Sequence, residues 1–365
     1  MKIVCVAGAR PNFMKIAPLM HAIEAAPEVH AELVHTGQHY DAAMSSVFFE
    51  QLGIPEPAVN LGIGGGTRQA QIEQIMAKFE PWLNTAEADA VLVVGDVNST
   101  VACSRIAKKL GITTVHVEAG LRSFDMDMPE EVNRIETDQQ SDLLFVTEQS
   151  GMDNLQREAV PGKAFLVGNV MIDTLARQLA QIEPTAALAE LRLKPSEYMV
   201  GTFHRPSNVD TPAALGNVLE IIEHVAESIA IVLPLHPRTR NSLEANSWLE
   251  RLTSNPNVHV AAPMPYVEFV SLVSQARGIV TDSGGVQEET TYLQVPCITM
   301  RDNTERPVTV ELGTNVLAKT SVAGVRHHID ELLAGRHKQG TIPPLWDGQA
   351  AIRIVDLIKA ELSAQ

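Results

Sequence analysis

Short apolar runs alternate with longer segments of helical periodicity along the whole chain. In the first half the apolar runs are Ile3–Ala7, Glu32–Thr36, Ala90–Val94, Thr113–Val117 and Leu143–Val146. The segments between them that space apolar residues three or four positions apart are Phe13–Ala26, Gln69–Trp82 and Thr100–Leu110. Continuous apolar runs are typical of strands buried on both faces, so this alternation predicts a parallel sheet covered by helices.

The same alternation starts again in the second half. Its predicted strands are Tyr198–Thr202, Ala230–Leu235, Val258–Ala261, Gly278–Thr281 and Pro296–Met300, and its predicted helices are Ala213–Ser228, Val267–Ala276 and Val286–Leu293. The pattern therefore predicts an α/β protein with two doubly wound, Rossmann-type domains, residues 1–170 and 171–347. The last helical segment, Gly348–Leu362, lies in a third stretch, 348–365, that we expect to pack back on the first domain.

Composition limits the possible partners and compartments. The 365 residues carry a net charge of −16, which argues against nucleic acid or an anionic membrane as a partner. The three cysteines have no CxxC spacing, so we expect small core residues in a reducing compartment rather than disulfides or a zinc site. The sequence shows neither a signal peptide nor a long apolar span, and we expect a cytoplasmic protein.

The segment Gly278–Glu289, GIVTDSGGVQEE, carries the strongest sign of ligand binding. A strand ends at Thr281-Asp282, and Ser283, Gly284 and Gly285 open a helix. The unpaired N–H groups and partial positive charge of a helix N-terminus favour phosphate, and glycine lets an anion approach the backbone. Glu288 and Glu289 suit sugar hydroxyls as acceptors. The alternative is an ordinary strand-to-helix turn.

Three carboxylates stand where predicted strands end or a helix begins: Asp96, Glu118 and Glu130. Because ligands bind at the carboxyl ends of parallel strands, we expect these groups to converge. Clustered acids raise one another's pKa and can divide acid and base roles. The alternative is structural: Asp96 caps the following helix and Glu118 pairs with Arg122.

Other polar groups follow strands in the same way. Arg10 and Lys15 stand near the start of the first helix, and His204 suits proton transfer or phosphate binding. Arg306 suits a diphosphate, or else pairs with Glu305 or Glu311. Two further motifs are assigned no functional role. We interpret Asp125-Met126-Asp127 as a solvent-facing loop rather than a metal-binding DxD motif. We interpret Gly62–Gly66 as a flexible loop, because no Lys-Ser/Thr follows it as in a P-loop.

Six motifs in order, GARPNFMKIAPL, VGDVNST, HVEAGLRS, MPEEVNR, FHRPSN and TDSGGVQEE…RDNTERP, closely resemble the non-hydrolysing UDP-N-acetylglucosamine 2-epimerases across nearly the whole chain. The resemblance implies a GT-B-like fold with an active-site cleft between the domains, a homodimer, and no metal or redox cofactor. It also implies reversible C2 epimerisation of UDP-N-acetylglucosamine to UDP-N-acetylmannosamine, through elimination of UDP, a 2-acetamidoglucal intermediate and re-addition. Polysaccharide biosynthesis is the expected context.

Residue roles follow from the matching motif positions. The catalytic positions are Asp96, Glu118, Glu130 and His204. The nucleotide-sugar contacts are Arg10, Lys15, His236, Phe269, Ser283, Gly284, Gly285, Glu289 and Arg306. Alternative functions are epimerisation of a related sugar such as UDP-2,3-diacetamido-2,3-dideoxyglucuronate, hydrolysis to free sugar and UDP, glycosyl transfer, and a non-catalytic nucleotide-sugar sensor.

Many bacterial members of this family bind a second UDP-N-acetylglucosamine as an activator. Here the corresponding segment reads Gln38-His39-Tyr40-Asp41, and Glu73 aligns with a family arginine. Carboxylates at such a site oppose a diphosphate. The sequence therefore predicts little dependence on a second substrate molecule.

Overall fold

The computed structural model describes residues 1–8, 10–37, 49, 52–180 and 186–364, without the side chains of residues 10, 11, 186, 187 and 190. Residue contacts divide the chain into two compact units. Unit 1 comprises Met1–Ala176 together with Pro344–Gln365, and unit 2 comprises Arg177–Pro343. No helix in the described part of the chain is long and apolar enough to cross a membrane.

Unit 1 is built on a parallel sheet with the order β3-β2-β1-β4-β5-β6-β7. Its strands are β1 (Lys2–Ala7), β2 (His30–His35), β3 (Val59–Asn60), β4 (Ala90–Val94), β5 (Thr113–Ala119), β6 (Leu143–Val146) and β7 (Lys163–Leu166). The five predicted strands are confirmed. The sequence missed β3, which has only two residues, and β7, whose exposed lysine and half-buried positions give no continuous apolar run.

The helices of unit 1 lie between these strands. They are α1 (Arg10–Glu24), α2 (Arg68–Leu83), α3 (Asn98–Leu110), α4 (Pro129–Gln140), α5 (Gln149–Arg157) and α6 (Val170–Leu179), the last of which runs past the end of the unit. The face of α2 that carries Ile72, Ile75 and Phe79 is fully buried against the sheet. Burying each such side chain stabilises the fold by about 1.5–3 kcal/mol, which is why helical spacing predicted this segment.

Unit 2 repeats this design with the strand order β10-β9-β8-β11-β12-β13. Its strands are β8 (Tyr198–Thr202), β9 (Ala230–Pro234), β10 (Val258–Ala261), β11 (Gly278–Thr281), β12 (Cys297–Thr299) and β13 (Asn315–Leu317). Its helices are α7 (Ala186–Leu191), α8 (Pro206–Val209), α9 (Pro212–Ala226), α10 (Pro237–Ala245), α11 (Leu249–Thr253), α12 (Tyr266–Ser274), α13 (Gly284–Leu293), α14 (Pro307–Glu311) and α15 (Val322–Leu333). The predicted doubly wound architecture is confirmed.

In both sheets the strand order reverses beside the first strand of the unit. The reversal lies between β1 and β4 in unit 1, and between β8 and β11 in unit 2. Loops on either side of such a point leave opposite faces of the sheet and open a crevice at the carboxyl ends of the strands. The two places where ligands are expected are therefore the loops after β1 and β4, and those after β8 and β11.

The last helix, α16 (Ala350–Ser363), packs on α1 within unit 1. Its own N-cap residue, Gln349, makes no side-chain capping bond. The buried Asp173 carboxylate on α6 accepts hydrogen bonds from the amides of Ala350 and Ala351 instead, at 3.1 and 2.7 Å. A carboxylate from a distant helix thus serves as the cap that fixes the start of α16.

We expect Asp173 to make stability depend on pH. Burial raises the pKa of Asp173 to about 6 from an ordinary value of 3.8, although the two amide hydrogen bonds oppose this shift. Because the folded state holds the proton at a pH where the unfolded chain has lost it, the free energy of unfolding falls as pH rises from about 4 to 6, by on the order of 2 kcal/mol. Urea unfolding across this range should show a shallower fall for Asp173→Asn, whereas the exposed Asp153→Asn should follow the unmodified protein. If the free energy of unfolding changed with pH in the same way in all three proteins, the attribution of this pH dependence to Asp173 would be wrong.

Candidate active site

Asp96 follows β4 directly and is held in place by α4. Gly95, in front of it, adopts φ = 67°, a left-handed conformation that favours glycine. The Asp96 carboxylate lies 2.5 Å from the buried Arg134 guanidinium. The alternative that Asp96 caps the next helix is wrong, because Val97 is the N-cap residue of α3 and the cap has no side-chain bond.

Glu118 lies in β5 at an irregularity in the pairing with β6. Its φ is 71°, which is rare for a residue other than glycine and costs on the order of 1–3 kcal/mol. One carboxylate oxygen is paired with the buried Lys15 ammonium, and the other is buried without a hydrogen-bond partner among the described residues. The alternative of a pair with Arg122 is wrong, since that guanidinium binds Asp138 and Glu158. The strained backbone and the uncompensated oxygen both suggest a functional carboxylate.

The two adjacent glutamates at the start of α4 have different environments. Glu131 is buried and accepts hydrogen bonds from the Ser123 amide and hydroxyl and from the Phe124 amide, at 2.8–3.0 Å. It therefore holds the loop between β5 and α4. Glu130 is exposed and does not hold this loop, so it is the member of the pair that is available to a ligand.

A cavity of about 680 Å³ lies in unit 1 at the carboxyl edge of the sheet, and Asp96 and Glu130 both line it. Gly62–Gly66 form another part of the wall, so this glycine-rich loop, interpreted from sequence without a role, belongs to the site. The polar lining also includes Arg68 and Asn133, and the sequence did not single out either of them. The Asn133 side chain bonds the Arg68 guanidinium at 2.5 Å and the backbone carbonyl of Asp96 at 2.8 Å. Glu118 is not a lining residue of this cavity.

Not every predicted position in unit 1 is described. The side chain of Arg10 lies outside the described residues, as does the segment Gln38–Asp41, which aligns with part of the activator site of bacterial family members. Glu73 is exposed on α2, where it accepts a hydrogen bond of 2.7 Å from Gln69, and it is not a lining residue of the cavity. The side chain from α2 that adds charge to the cavity wall is the cation Arg68. Weak dependence on a second substrate molecule stays a prediction, but Glu73 lends it no support at this cavity.

In unit 2, His204 follows β8 and is oriented by Asp282, which follows β11. The His204 Nδ1 atom lies 2.8 Å from a carboxylate oxygen of Asp282. The same carboxylate accepts hydrogen bonds from the His204 and Arg205 amides and from Asn208, at 3.0–3.1 Å. Although burial opposes ionisation, these donors hold the pKa of Asp282 below its usual range. The sequence named the strand end that contains Asp282 but gave this residue no role.

His236 lies beside His204, with 5.6 Å between the ring centroids. It is the N-cap residue of α10, and its Nδ1 accepts a hydrogen bond of 3.1 Å from the Arg238 amide. Burial and the nearby charges of His204 and Arg238 lower the pKa of His236. The ring is therefore neutral at pH 7, and its Nε2 atom carries the proton.

The start of α13 has the features of an anion site. Ser283 is the N-cap residue and makes no side-chain capping bond. A side chain at Gly285 would meet open space, and one at Gly284 would lie 3.3 Å from the Arg306 guanidinium. Unpaired helix N–H groups, accessible glycine backbone and a guanidinium thus lie together, a combination that suits phosphate oxygens.

Arg306 is held by buried glutamates. Its Nε atom lies 2.6 Å from Glu288, and a terminal nitrogen lies 3.5 Å from Glu305, so the alternative pairing with Glu305 is present. Glu305 is also paired with Arg301 at 3.0 Å. These contacts fix the guanidinium in position before any ligand binds, and they are compatible with phosphate binding through its remaining N–H groups.

Glu289 is buried on α13 beside Glu288 and Tyr266. Burial, together with the charge of Glu288, raises the pKa of Glu289 to about 7, while interaction with the Tyr266 hydroxyl opposes the shift. Its carboxylate therefore gains or loses its charge close to neutral pH. Phe269, also on α12, is half-buried and packs on the core of unit 2.

Nothing in the described part of the chain suggests a bound metal. No three histidine, cysteine, aspartate or glutamate side chains among the described residues are grouped so that they would hold an ion. In the Asp125-Met126-Asp127 loop, Met126 is 62% exposed and Asp125 accepts a hydrogen bond from the Asp127 amide at 3.1 Å. The Asp125 carboxylate is thus used within its own turn.

Comparison with known proteins shows which family this chain belongs to. The family model described as UDP-N-acetylglucosamine 2-epimerase matches residues 21–359. A UDP-N-acetylglucosamine 2-epimerase of Methanocaldococcus jannaschii is 38% identical over 364 residues, covering 98% of this chain and 99% of that protein. The UDP-2,3-diacetamido-2,3-dideoxy-D-glucuronate 2-epimerase of Pseudomonas aeruginosa is 41% identical over 321 residues, covering 87% and 88%.

A solved structure gives the same result. The Methanocaldococcus jannaschii UDP-GlcNAc 2-epimerase in complex with UDP-GlcNAc and UDP superimposes with a TM-score of 0.89 at 38% identity, covering 99% of this chain and 100% of that one. Such coverage leaves no large part of either chain unmatched. The protein therefore belongs to the UDP-N-acetylglucosamine 2-epimerase family and is an epimerase with a GT-B-like fold.

Proposed function

We propose that this protein interconverts UDP-N-acetylglucosamine and UDP-N-acetylmannosamine by inverting C2 of the sugar. The observation that carries the proposal is the pair of carboxylates, Asp96 and Glu130, that line one cavity, with Glu118 beside Gly95. Inversion at C2 requires removal of a proton from one face and delivery to the other, so at least two acid–base groups are needed. Unit 1 supplies three.

In the proposed elimination, a unit 1 carboxylate takes the C2 proton. The C–H electron pair forms the C1–C2 double bond of a 2-acetamidoglucal, and the C1–O bond breaks with its electron pair leaving on UDP. UDP then adds back at C1 while an acid on the other face of the sugar protonates C2. Lys15 is paired with the Glu118 carboxylate and holds it in position.

Unit 2 is proposed to bind UDP and stabilise it as a leaving group. The helix start at Ser283–Gly285 and the Arg306 guanidinium provide N–H donors for the diphosphate. His204 is oriented through Nδ1 by Asp282, which leaves Nε2 to face the departing phosphate oxygen. The half-buried ring of Phe269 is proposed to lie against the uracil, and Glu289 to accept from a ribose hydroxyl of UDP.

An alternative substrate is supported by one specific observation. The relative that acts on UDP-2,3-diacetamido-2,3-dideoxy-D-glucuronate is 41% identical to this chain over 321 residues, against 38% over 364 residues for the archaeal relative. The same carboxylates would invert C2 in either sugar, because the reaction does not involve the substituents at C3 and C6. Only a direct comparison of the two substrates decides between them.

Incubation with UDP-N-acetylglucosamine in deuterium oxide, followed by proton NMR, tests the proposal. We expect loss of the C2 proton signal and the appearance of a second UDP-sugar with the manno configuration. Accumulation of UDP and free sugar would indicate hydrolysis, and binding without exchange would indicate a sensor. A parallel incubation with the diacetamido uronate identifies the preferred sugar, and faster exchange with that compound would overturn the assignment to UDP-N-acetylglucosamine.

Affinity for UDP is expected to depend on the ionisation of Glu289. If its carboxylate accepts from a hydroxyl of the ligand, binding favours the charged form, which predominates above a pKa of about 7. At pH 6 only about a tenth of the molecules carry the charge, so affinity should be about tenfold weaker than at pH 8. Calorimetry at pH 6, 7 and 8 measures this difference.

Glu289→Gln is the matched control for that experiment. The terminal phosphate of UDP also titrates near pH 6, but it does so equally in both proteins. The difference between the two pH profiles therefore isolates Glu289. Identical profiles would show that this carboxylate does not contact the ligand.

A further inference from the structure

Beneath the carboxylates of unit 1 lies a histidine–aspartate pair that is completely buried. The His116 Nδ1 atom lies 2.7 Å from one carboxylate oxygen of Asp138, and both side chains have no exposed surface. The His116 Nε2 atom lies 2.8 Å from the carbonyl oxygen of Gly95. The other oxygen of Asp138 accepts a hydrogen bond of 3.1 Å from the Gly120 amide.

These contacts join two turns that carry catalytic candidates. Gly95 immediately precedes Asp96, and Gly120 stands two positions after Glu118. The φ angles are 67° at Gly95, 71° at Glu118 and 78° at Gly120, so the backbone is left-handed on both sides of the pair. Glycine adopts such angles without strain. At Glu118 the conformation is strained and persists only where surrounding contacts hold it, and this buried pair contacts the turns on both sides of that residue.

The position of one proton on His116 follows from its partner. A carbonyl oxygen only accepts, so the Gly95 contact requires a proton on Nε2 of His116. The Arg122 guanidinium also lies 2.7 Å from Asp138. The imidazole thus bridges the two turns, since it donates to Gly95 through Nε2 and contacts Asp138 through Nδ1.

We propose that His116 is a positioning residue. Through the Gly95 carbonyl on one side and Asp138 with Gly120 on the other, it fixes the spacing between the Asp96 and Glu118 carboxylates. This inference rests on the proposed function, in which these two groups act on opposite faces of C2. His116 itself contacts neither substrate nor the reacting atoms, because it is buried beneath the turns.

Two substitutions separate the halves of this bridge. In His116→Asn the amide nitrogen replaces Nδ1, which keeps the bond to Asp138 and loses the bond to Gly95. In His116→Gln the amide nitrogen replaces Nε2, which keeps the bond to Gly95 and loses the bond to Asp138. Asp138→Asn is the conservative variant, because its amide can still donate to a neutral imidazole and accept from Gly120.

Turnover and UDP affinity provide the first measurement. We expect kcat to fall about tenfold in His116→Asn and in His116→Gln, while KM and the affinity for UDP change less than twofold. Asp138→Asn should retain kcat within about threefold of the unmodified enzyme. The control is His224→Asn in unit 2, which alters another histidine–aspartate pair, 2.8 Å from Asp330, and should change none of these values.

Hydrogen–deuterium exchange provides a measurement that does not depend on catalysis. Exchange should accelerate in residues 95–98 for His116→Asn and in residues 118–122 for His116→Gln, with unit 2 unchanged. Unmodified kcat in both His116 variants, or faster exchange spread over all of unit 1, would overturn the proposal. If the unmodified protein did not exchange the C2 proton of the substrate, the proposed function would fail. The pattern of amide exchange would still decide whether His116 holds the two turns.

Discussion

Glu118→Gln and Asp96→Asn are each expected to lower the turnover of UDP-N-acetylglucosamine by about 10²- to 10⁴-fold. Both substitutions keep the shape of the side chain and abolish proton transfer. The structure places Asp96 on the cavity wall and Glu118 against Lys15, so each change acts on a carboxylate that a buried cation already holds. Steady-state rates and the rate of C2 deuterium incorporation measure the loss.

The affinity for UDP distinguishes a loss of acid–base catalysis from a disruption of the folded structure. UDP is proposed to bind through unit 2, so both variants should bind it within about threefold of the unmodified protein. The exposed Asp153→Asn, whose side chain contacts Gln149, is the control for removal of a carboxylate from unit 1. Near-normal turnover in Asp96→Asn and Glu118→Gln would remove both groups from the acid–base assignment.

Arg306→Ala is expected to weaken the binding of UDP roughly 100-fold, because charge-assisted hydrogen bonds to phosphate contribute about 1.5–3 kcal/mol. The guanidinium is buried, lies beside Gly284 at the start of α13 and is fixed by Glu288 at 2.6 Å. Titration calorimetry with UDP measures the effect. Arg306→Lys, which keeps the charge but loses the planar fork, should give an intermediate affinity.

The ion pair with Glu288 requires one more variant. Removing Arg306 alone leaves the Glu288 carboxylate with less compensation, and that charge would itself repel a diphosphate. Arg306→Ala combined with Glu288→Gln removes this repulsion, and we expect UDP binding to remain at least tenfold weaker than normal. Full recovery of affinity in the double variant would assign Arg306 a structural role.

The parts of the fold that the sequence predicted are those where burial dictates residue type. Strands β4 and β6 lie inside a sheet covered on both faces, so all their positions are apolar and their bounds, Ala90–Val94 and Leu143–Val146, were predicted as observed. Strand β13 was missed because it spans only Asn315–Leu317 and begins with an asparagine that bonds other side chains. Short strands next to polar networks leave too little apolar pattern to detect.

The candidate site also has one part that the sequence predicted and another that it did not. Strand ends drew attention to Asp96, Glu118 and His204, because topology alone brings the carboxyl ends of parallel strands to one edge. Partners such as Lys15 with Glu118, or Arg134 with Asp96, depend on side-chain reach between elements, and sequence order does not determine that. The Gly62–Gly66 loop was not predicted as part of the site for a related reason: the fold brings it to the same cavity as Glu130, and it carries no motif of its own.

The position of α16 has a consequence for folding during synthesis. Residues 344–363 contribute Trp346, which bonds the Thr147 carbonyl at 3.1 Å, and the buried Ile354 and Ile358 to unit 1. The ribosome makes them only after all of unit 2. The apolar surface of unit 1 around α1 therefore stays uncovered while unit 2 is synthesised and folds. The elements that are made first are the last to complete their core.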